Sequence, residues 1–259
     1  MNPSRLTGKR ALVTAGAQGI GAAISRHLLA AGCDVFIHYR SSADTAHAIA
    51  AEAAKLGRRC GSAAADLTQA AGCERLVAEA AQFLGGLDVL INNAGSIVAR
   101  KTLAEADEAF WEEVMALNFR SLRCVTKAAL PHLVAAVKTG GGASVVNISS
   151  LAGRKGGHPG SLAYASAKGA VLTFTRALSN EISPLGVRVN AVAPGFVLGS
   201  NFHQIHTTPE SAKQTIAGLP VGRAGTVDDI ARGVVYLAGE YDGFITGATL
   251  DINGGQYVS

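Results

Sequence analysis

The sequence predicts a single α/β domain built on a doubly wound parallel sheet of seven strands, and three observations carry that expectation. Short apolar runs alternate with longer segments of helical period from residue 10 to residue 252. The first run ends in Ala15-Gly16-Ala17-Gln18-Gly19-Ile20-Gly21, the order of strand, glycine turn and helix that lets helix-terminal amides cradle a pyrophosphate. Glycine and small polar residues also stand where the later strands end, and open α/β sheets bind ligands at those ends.

The elements follow in order. Residues 10–14 read as the first strand, a helical pattern runs from the glycine turn through Ala31, and a strand over 34–39 completes a βαβ unit. A helix over 42–56, a strand over 60–65, a helix over 69–83 and a strand over 87–91 continue the alternation. Beyond Asn92-Asn93-Ala94-Gly95 a long helical region runs to about Val137, and Pro131, which has no N–H, is expected to kink or divide it. A fifth strand over 144–149, a helix over 162–182, a sixth strand over 187–192, a helix over 226–239 and a last strand over 248–252 complete the pattern. No linker, internal repeat or low-complexity stretch interrupts it, so residues 1–259 are expected to form one domain.

Composition narrows the function classes. Hydrophobic residues make up 48% and charged residues 16%, enough apolar material for a large core. Lys and Arg outnumber Asp and Glu by a net charge of +4, but they are scattered, with no run longer than two, so nucleic acid is not an expected partner. Cys33, Cys60, Cys73 and Cys124 show neither CxxC nor metal-ligand spacing, and no metal is expected. His203 and His206 stand three apart but have no further ligands nearby in sequence. No apolar run approaches the ~18 residues that span a bilayer, and residues 1–9 lack the apolar core of a signal peptide. The expectation is a cytoplasmic protein with no membrane association.

One pair of residues suggests chemistry. Tyr164 and Lys168 lie one helical turn apart on one face. A phenol with a pKa near ~10 is a poor catalyst at neutral pH, whereas a cation beside it favours the phenolate and tunes it as a general acid or base. Read alone, the pair more often describes a solvated helix face. Ser150, at the end of the fifth strand, offers a hydroxyl to a carbonyl oxygen or simply caps a turn, and Asn118 is a polar residue inside the long helical region. Asp66 follows the third strand and Pro194-Gly195 the sixth. Turn chemistry accounts for any one of these, but poorly for their joint placement.

Taken together these residues resemble the short-chain dehydrogenase/reductase family, in its 3-oxoacyl-acyl-carrier-protein-reductase-like group, over essentially the whole chain. The resemblance is carried by residues 14–21, Asp66, Asn92-Asn93-Ala94-Gly95, Asn118, Asn147-Ile148-Ser149-Ser150, residues 164–168, Pro194-Gly195, Ile245-Thr246-Gly247 and Asn253-Gly254-Gly255. It implies a Rossmann fold and a catalytic set of Asn118, Ser150, Tyr164 and Lys168. Tyr164 would exchange the proton with the substrate oxygen and Ser150 would orient that oxygen. Lys168 would bond the nicotinamide ribose and lower the Tyr164 pKa, and Asn118 would hold a water linking Lys168 to solvent. The implied cofactor contacts are Gly16, Gln18, Gly19 and Ile20 in the glycine turn, and Tyr39, Arg40 and Ser41 after the second strand. Asp66 and Leu67 follow, then Asn93, Ala94 and Gly95, then Tyr164 and Lys168, and last Pro194, Gly195 and Val197.

The chain also departs from the family pattern. Ala15 stands at the first motif glycine, and Ser150 and Tyr164 are one position further apart than usual, which implies an extra residue in the loop 154–160. Gly199 replaces a threonine, so that Ser200 takes over its cofactor contact or the contact is lost. The second strand ends in His38-Tyr39-Arg40-Ser41-Ser42, without an acid to repel a 2′-phosphate and with Arg40 able to pair with one, so NADP(H) is favoured over NAD(H).

The implied substrate is a small carbonyl or alcohol compound, read first as a 3-oxoacyl thioester. The alternative is a sugar, polyol or other small hydroxy compound, and a minor one is a non-catalytic cofactor-binding sensor or scaffold. Asn180, where carrier-dependent reductases often place an arginine, weakens the thioester reading, while the polar segment 196–217 allows the alternative. Finally, the resemblance implies a homo-oligomer, tetramer or dimer, built on the helices around 118–137 and 162–182, with Ala163, Ala165, Ala167, Gly169 and Ala170 permitting close packing.

Overall fold

A strand of a parallel sheet is buried on both faces, and the apolar runs here are of that kind: Val35, Ile37, Val89 and Ile91 pack to one side, Leu12, Phe36, Leu90 and Val145 to the other. The computed structural model describes residues 6–199, 208–239 and 243–258. Its strands are β1 (Arg10–Val13), β2 (Asp34–Tyr39), β3 (Cys60–Ala64), β4 (Val89–Asn92), β5 (Ala143–Ile148), β6 (Val187–Pro194) and β7 (Thr249–Ile252). They form one seven-stranded sheet in the order β3-β2-β1-β4-β5-β6-β7, and every adjacent pair is parallel. The expected doubly wound α/β fold is therefore observed. Strand order reverses between β1 and β4, so the connections leaving them diverge and open a crevice at their carboxyl ends.

The helices are α1 (Gly19–Ala30), α2 (Ala43–Lys55), α3 (Ala70–Leu84), α4 (Glu108–Met115), α5 (Ser121–Lys138), α6 (Leu151–Lys155), α7 (Leu162–Ile182), α8 (Pro209–Ala217) and α9 (Val227–Ala238). Residues of α1, α2 and α9 share one apolar core with the sheet, and residues of α3, α5 and the end of α7 share the other. A smaller cluster seats Phe110 and Val114 of α4 on Ala163 and Ala167 of α7. Those two alanines, and the buried Ala165, thus face the chain's own interior and are not free for a second copy, contrary to the packing role expected of them.

The long helical region expected after Gly95 is divided differently. The chain runs irregularly until Asp107 caps α4 by accepting a hydrogen bond from Phe110 N (2.9 Å). A π-helical turn, Ala116–Arg120, then separates α4 from α5 and holds Asn118. Pro131 divides nothing, because α5 runs through it. Pro131 and Lys127, whose carbonyl it deprives of a donor, are both exposed, so the missing bond falls on the solvent face of α5.

A buried polar network fixes α5 and α7 against the sheet. Asn92 and Asn147 are direct register partners, and Asn92 Nδ2 donates to Asn147 Oδ1 (2.9 Å) and to Thr126 Oγ1 on α5 (2.9 Å). Asn147 Nδ2 donates in turn to Thr175 Oγ1 on α7 (3.0 Å). Unpaired buried amides are costly, so this network sets the rotation of α7, which carries Tyr164 and Lys168.

The turn after β1 is built for close approach. A Cβ on Gly21 would lie 2.0 Å from the Ala15 carbonyl oxygen, so only glycine lets α1 begin there. Ala15 itself has φ 49°, a left-handed conformation that costs an alanine about 1 kcal/mol. Ala15→Gly should therefore stabilise the protein by about 0.5–1 kcal/mol, raising the melting temperature by ~2 °C, as read by thermal denaturation. No gain would mean that the turn relaxes around alanine without strain.

Candidate active site

The crevice holds a cavity of about 490 Å³, lined at one end by the β1 turn and at the other by the ends of β5, α6 and α7. The structure brings Gln18, Gly19, Ile20, Asn93 and Gly95 into its wall, together with Ser150, Tyr164 and Lys168, and with Pro194, Gly195 and Val197. Gly16, Tyr39, Arg40, Ser41, Asp66, Leu67, Ala94 and Asn118 lie outside that wall.

Several of those outer residues shape the wall from behind. Thr14 Oγ1, at the end of β1, accepts from Asn93 N (2.8 Å) and Ala94 N (3.0 Å), which joins the ends of β1 and β4. The Asn93 amide donates to the Thr14 and Ala15 carbonyls, both at 3.2 Å, and so holds the glycine turn. Gly16 approaches Ser25, whose Oγ donates to the Gly16 carbonyl (2.9 Å). Asp66 is an exposed turn residue whose Oδ1 accepts from Thr68 N (2.9 Å), and its carboxyl is held below the usual range by the Thr68 bonds, with Arg40 adding to the effect.

His38 was not among the residues expected at the site. It is a polar residue directly after the apolar run Val35-Phe36-Ile37 of β2, which is the one signal that marked it. Its Nδ1 accepts from Ala15 N (2.9 Å) and its Nε2 lies 3.0 Å from the Ala65 carbonyl. The ring is thus neutral, protonated at Nε2, and burial lowers its pKa. Through it β2 braces the glycine turn and the end of β3.

The turn fits a dinucleotide. Gln18, the residue before α1, makes no side-chain cap bond and the first turn of α1 has no acidic residue, so its N–H groups and positive dipole end remain available to phosphate oxygens. Residues 15 and 18–21 all line the cavity there, and Gly21 lets the backbone close in.

At the other end the chemistry is concentrated around Lys168. Ser149 and Ser150 part company at the end of β5. Ser149 Oγ is buried and donates to the Lys168 carbonyl (2.8 Å), while Ser150 caps α6 by accepting from Ala152 N (3.1 Å) and its hydroxyl also hydrogen-bonds the Tyr164 phenol. The extra residue between Ser150 and Tyr164 is absorbed by α6 and a loop with left-handed glycines at 156, 157 and 160, so the two hydroxyls still meet. Gly153 lets α6 sit on α7, since a Cβ there would lie 2.6 Å from the Lys168 carbonyl carbon.

Lys168 Nζ donates to the Ile148 carbonyl (2.9 Å) and lies 5.8 Å from the centre of the Tyr164 ring. Burial pushes the Tyr164 phenol up to about 12, against the lowering effect of the Ser150 bond, and brings the Lys168 ammonium down to about 8. The Tyr164 shift runs opposite to the expected lowering by Lys168, because lost hydration outweighs an ammonium bonded away to Ile148.

The Asn118 side chain is fully engaged with protein. Its Nδ2 donates to Ser96 O (2.8 Å) and Val114 O (2.9 Å), and its Oδ1 accepts from Ser96 N (3.0 Å). Both amide donors are committed to protein, so the side chain clamps the loop after β4 instead of offering donors to a water. A Cβ on Gly95 would lie 2.6 Å from Asn118 Oδ1 and 2.9 Å from Lys168 Nζ, and only glycine leaves those groups their place. Gly199 has φ 82°, which strains a threonine and accounts for that departure. Ser200, His203 and His206 lie outside the described residues.

A phosphate-cradling turn and a phenol–ammonium pair on one crevice make this chain a nicotinamide-dependent oxidoreductase by class. The chain belongs to the short-chain dehydrogenase/reductase family: the family model described as enoyl-(acyl carrier protein) reductase matches residues 14–256. A 3-oxoacyl-[acyl-carrier-protein] reductase of Haemophilus influenzae is 35% identical, over 98% of this chain and all of that one. The crystal structure of an NADH-dependent reductase responsible for alginate metabolism superposes with a TM-score of 0.89 at 35% identity, covering 98% of this chain and 99% of that one. A short-chain dehydrogenase from Burkholderia cenocepacia J2315, solved in complex with NADP, gives 0.88 at 32% identity, with 98% and 99% covered.

The Lys168 shift has a measurable consequence. Its folded pKa lies below the unfolded value of 10.5, so between about pH 8 and 10.5 the unfolded chain holds the extra proton and stability rises with pH. From pH 7 to pH 10 the wild-type protein should gain about 2 kcal/mol of unfolding free energy relative to Lys168→Met, read by denaturant titration at each pH. Parallel curves would show that Lys168 titrates alike in the folded and unfolded chain.

Proposed function

We propose that the protein interconverts a ketone and a secondary alcohol with NADP(H), and the observation that carries this is the Ser150–Tyr164–Lys168 cluster at the end of the glycine-lined cavity. The cofactor, when bound, supplies or accepts the hydride. Everything else falls to the chain. Tyr164 holds a proton on its phenol at neutral pH, since its pKa stands near 12, and is poised to donate it to a carbonyl oxygen. Ser150, already bonded to that phenol, presents its hydroxyl to the same oxygen. Lys168 spends one of three N–H groups on Ile148 and keeps two for a ribose hydroxyl. Asn118 holds Ser96 and thereby the loop after β4.

The cofactor preference rests on Arg40, which is exposed at the end of β2 within electrostatic reach of Asp66 and unopposed by any acid at positions 38–42. The rim of the cavity is polar, with His158, Thr208, Ser211, Thr215 and Gln256, and this favours a small hydroxylated substrate. The 3-oxoacyl thioester is the second reading, supported by the likeness to the Haemophilus influenzae reductase. The non-catalytic reading has no such support, because a buried ammonium beside a phenol is costly to keep without a task. A cytoplasmic homo-oligomer completes the proposal, with α5 and α7 as its contact and the half-buried Phe119–Phe174 pair as apolar surface.

Two measurements check this. Tyr164→Phe should lower kcat at least a thousandfold while the NADPH dissociation constant, read by calorimetry, stays within a few-fold; retained turnover would remove Tyr164 from the chemistry. The wild-type kcat/KM should favour NADPH over NADH, and Arg40→Ala should reduce that ratio about tenfold or more. A preference for NADH would reverse the cofactor assignment.

A further inference from the structure

The cavity is lopsided in charge. Arg100, Lys155 and Lys168 line it, and among the described residues no Asp or Glu does. Lys168 is committed to the reacting end by its bond to Ile148, which leaves Arg100 and Lys155 without a role in the chemistry described above.

Arg100 stands on a loop that is tied to the loop following Lys155, the last residue of α6. Lys101 N donates to Gly160 O (3.0 Å), Arg100 Nη1 reaches Pro159 O (3.4 Å), and a Cβ on Gly160 would lie 3.0 Å from Arg100 Cβ. The Arg100 loop is strained as well. Ala99 N donates to Ile97 O (2.8 Å) around Val98 at φ 64°, a γ-turn with positive φ that a β-branched residue adopts at a cost. That turn puts Ile97 and Arg100 on the cavity wall together.

The helix α6 ends in two basic residues with different fates. Arg154 pairs with Asp251 (2.7 Å) and stacks over Tyr257 (5.3 Å), which anchors α6 to β7 and the segment beyond it. Lys155 lines the cavity and has no hydrogen bond or ion pair among the described residues. In the same wall the Gln256 side-chain oxygen is buried and has no donor among the described residues. A buried acceptor without a donor is costly, and a ligand hydroxyl relieves it.

We infer that the substrate is a small oxo acid bearing a hydroxyl, whose carboxylate is held by Arg100 and Lys155 and whose hydroxyl donates to Gln256 while its carbonyl meets Ser150 and Tyr164. This rests on the carbonyl-reductase reading above and gives it a substrate class. An Arg guanidinium and a Lys ammonium facing one space without a carboxylate select an anion by charge-assisted hydrogen bonds. A cavity of about 490 Å³ that also receives the nicotinamide end favours a small molecule over a long acyl chain.

The experiment compares hydroxylated four- to six-carbon oxo acids with their methyl esters, and acetoacetyl-coenzyme A with its short N-acetylcysteamine analogue. Each is measured with NADPH in the wild type and in an Arg100→Gln, Lys155→Gln double variant. The wild type should prefer acids to esters at least tenfold in kcat/KM, and the double variant should lose at least tenfold of that ratio, chiefly through KM. In Gln256→Leu the hydroxylated acids should lose their advantage over the corresponding deoxy acids. Esters used as well as acids, an unchanged ratio in the double variant, or a preference for the coenzyme A thioester lost in that variant would overturn the oxo-acid assignment and leave the reductase reading standing.

Turnover of nothing would count against the reductase reading, and the anion site is then judged by calorimetric titration of malonate into the NADPH-saturated protein. Saturable binding weakened tenfold in the double variant supports the site. Absent or unaltered binding overturns it.

Discussion

Lys168 carries an ammonium into a position only 3% exposed, and its lost hydration has to be offset locally. The neighbouring structure is the set of arrangements that makes this possible. The Ile148 carbonyl at the end of β5 accepts from Nζ, so α7 is held to the sheet at the level of the crevice. Ser149 bonds the Lys168 carbonyl and Gly153 packs against the same peptide, which brings α6, and with it Ser150, onto α7. Gly95 clears the space beside Nζ, and the Asn118 amide on its other side holds the chain after β4. One costly group thus has contacts from β4, β5, α6 and the π-helical turn converging on it, and Tyr164 is placed by the same convergence.

The two ends of the cavity are built on different principles. At the β1 end the determinants are backbone: uncapped N–H groups, a turn that tolerates no Cβ at Gly21, and strand ends joined through Thr14, Asn93 and His38. Such a site recognises a shape common to many dinucleotides. At the β5 end the determinants are side chains in a water-poor setting, where burial raises the Tyr164 pKa and lowers that of Lys168, so that each group favours its own neutral form. A phenol near 12 favours the protonated acid that carbonyl reduction consumes, and it sets alcohol oxidation against a larger deprotonation cost. Charge brought in by a bound ligand acts on both groups at once, so their protonation is coupled to what occupies the crevice.

This difference explains which parts are legible in the sequence. The seven strands, their parallel sense, α1 and α7 follow from periodicity and from glycines whose backbone geometry admits little else, and Gly21 and Gly95 stand out by their motifs alone. The pattern misleads where long-range contacts override it. Pro131 has the look of a helix breaker but lies on a hydrated face; the helical-looking residues before Asp107 are instead a loop clamped by Asn118. Ala163 and Ala167 offer a small-residue surface in sequence, yet α4 covers them. His38 gives little sign of its task because that task depends on two partners, Ala15 and Ala65, that only the folded sheet brings to it.

The substrate end is least legible for a physical reason. Its wall comes from loops of distant origin, residues 96–102, 155–160 and the segment after β7, and loops carry specificity without a periodic signature. What sets them in place is again charge. Arg154 is adjacent to Lys155 in sequence, but Asp251 and Tyr257 take up the first and leave the second to the cavity. Reversing that arrangement would both loosen α6 and remove the cation from the wall. The pairing of Arg154 with β7 therefore ties the position of Ser150 to the electrostatic character of the substrate pocket, so that geometry of the reacting groups and recognition of the substrate's charge rest on one short helix.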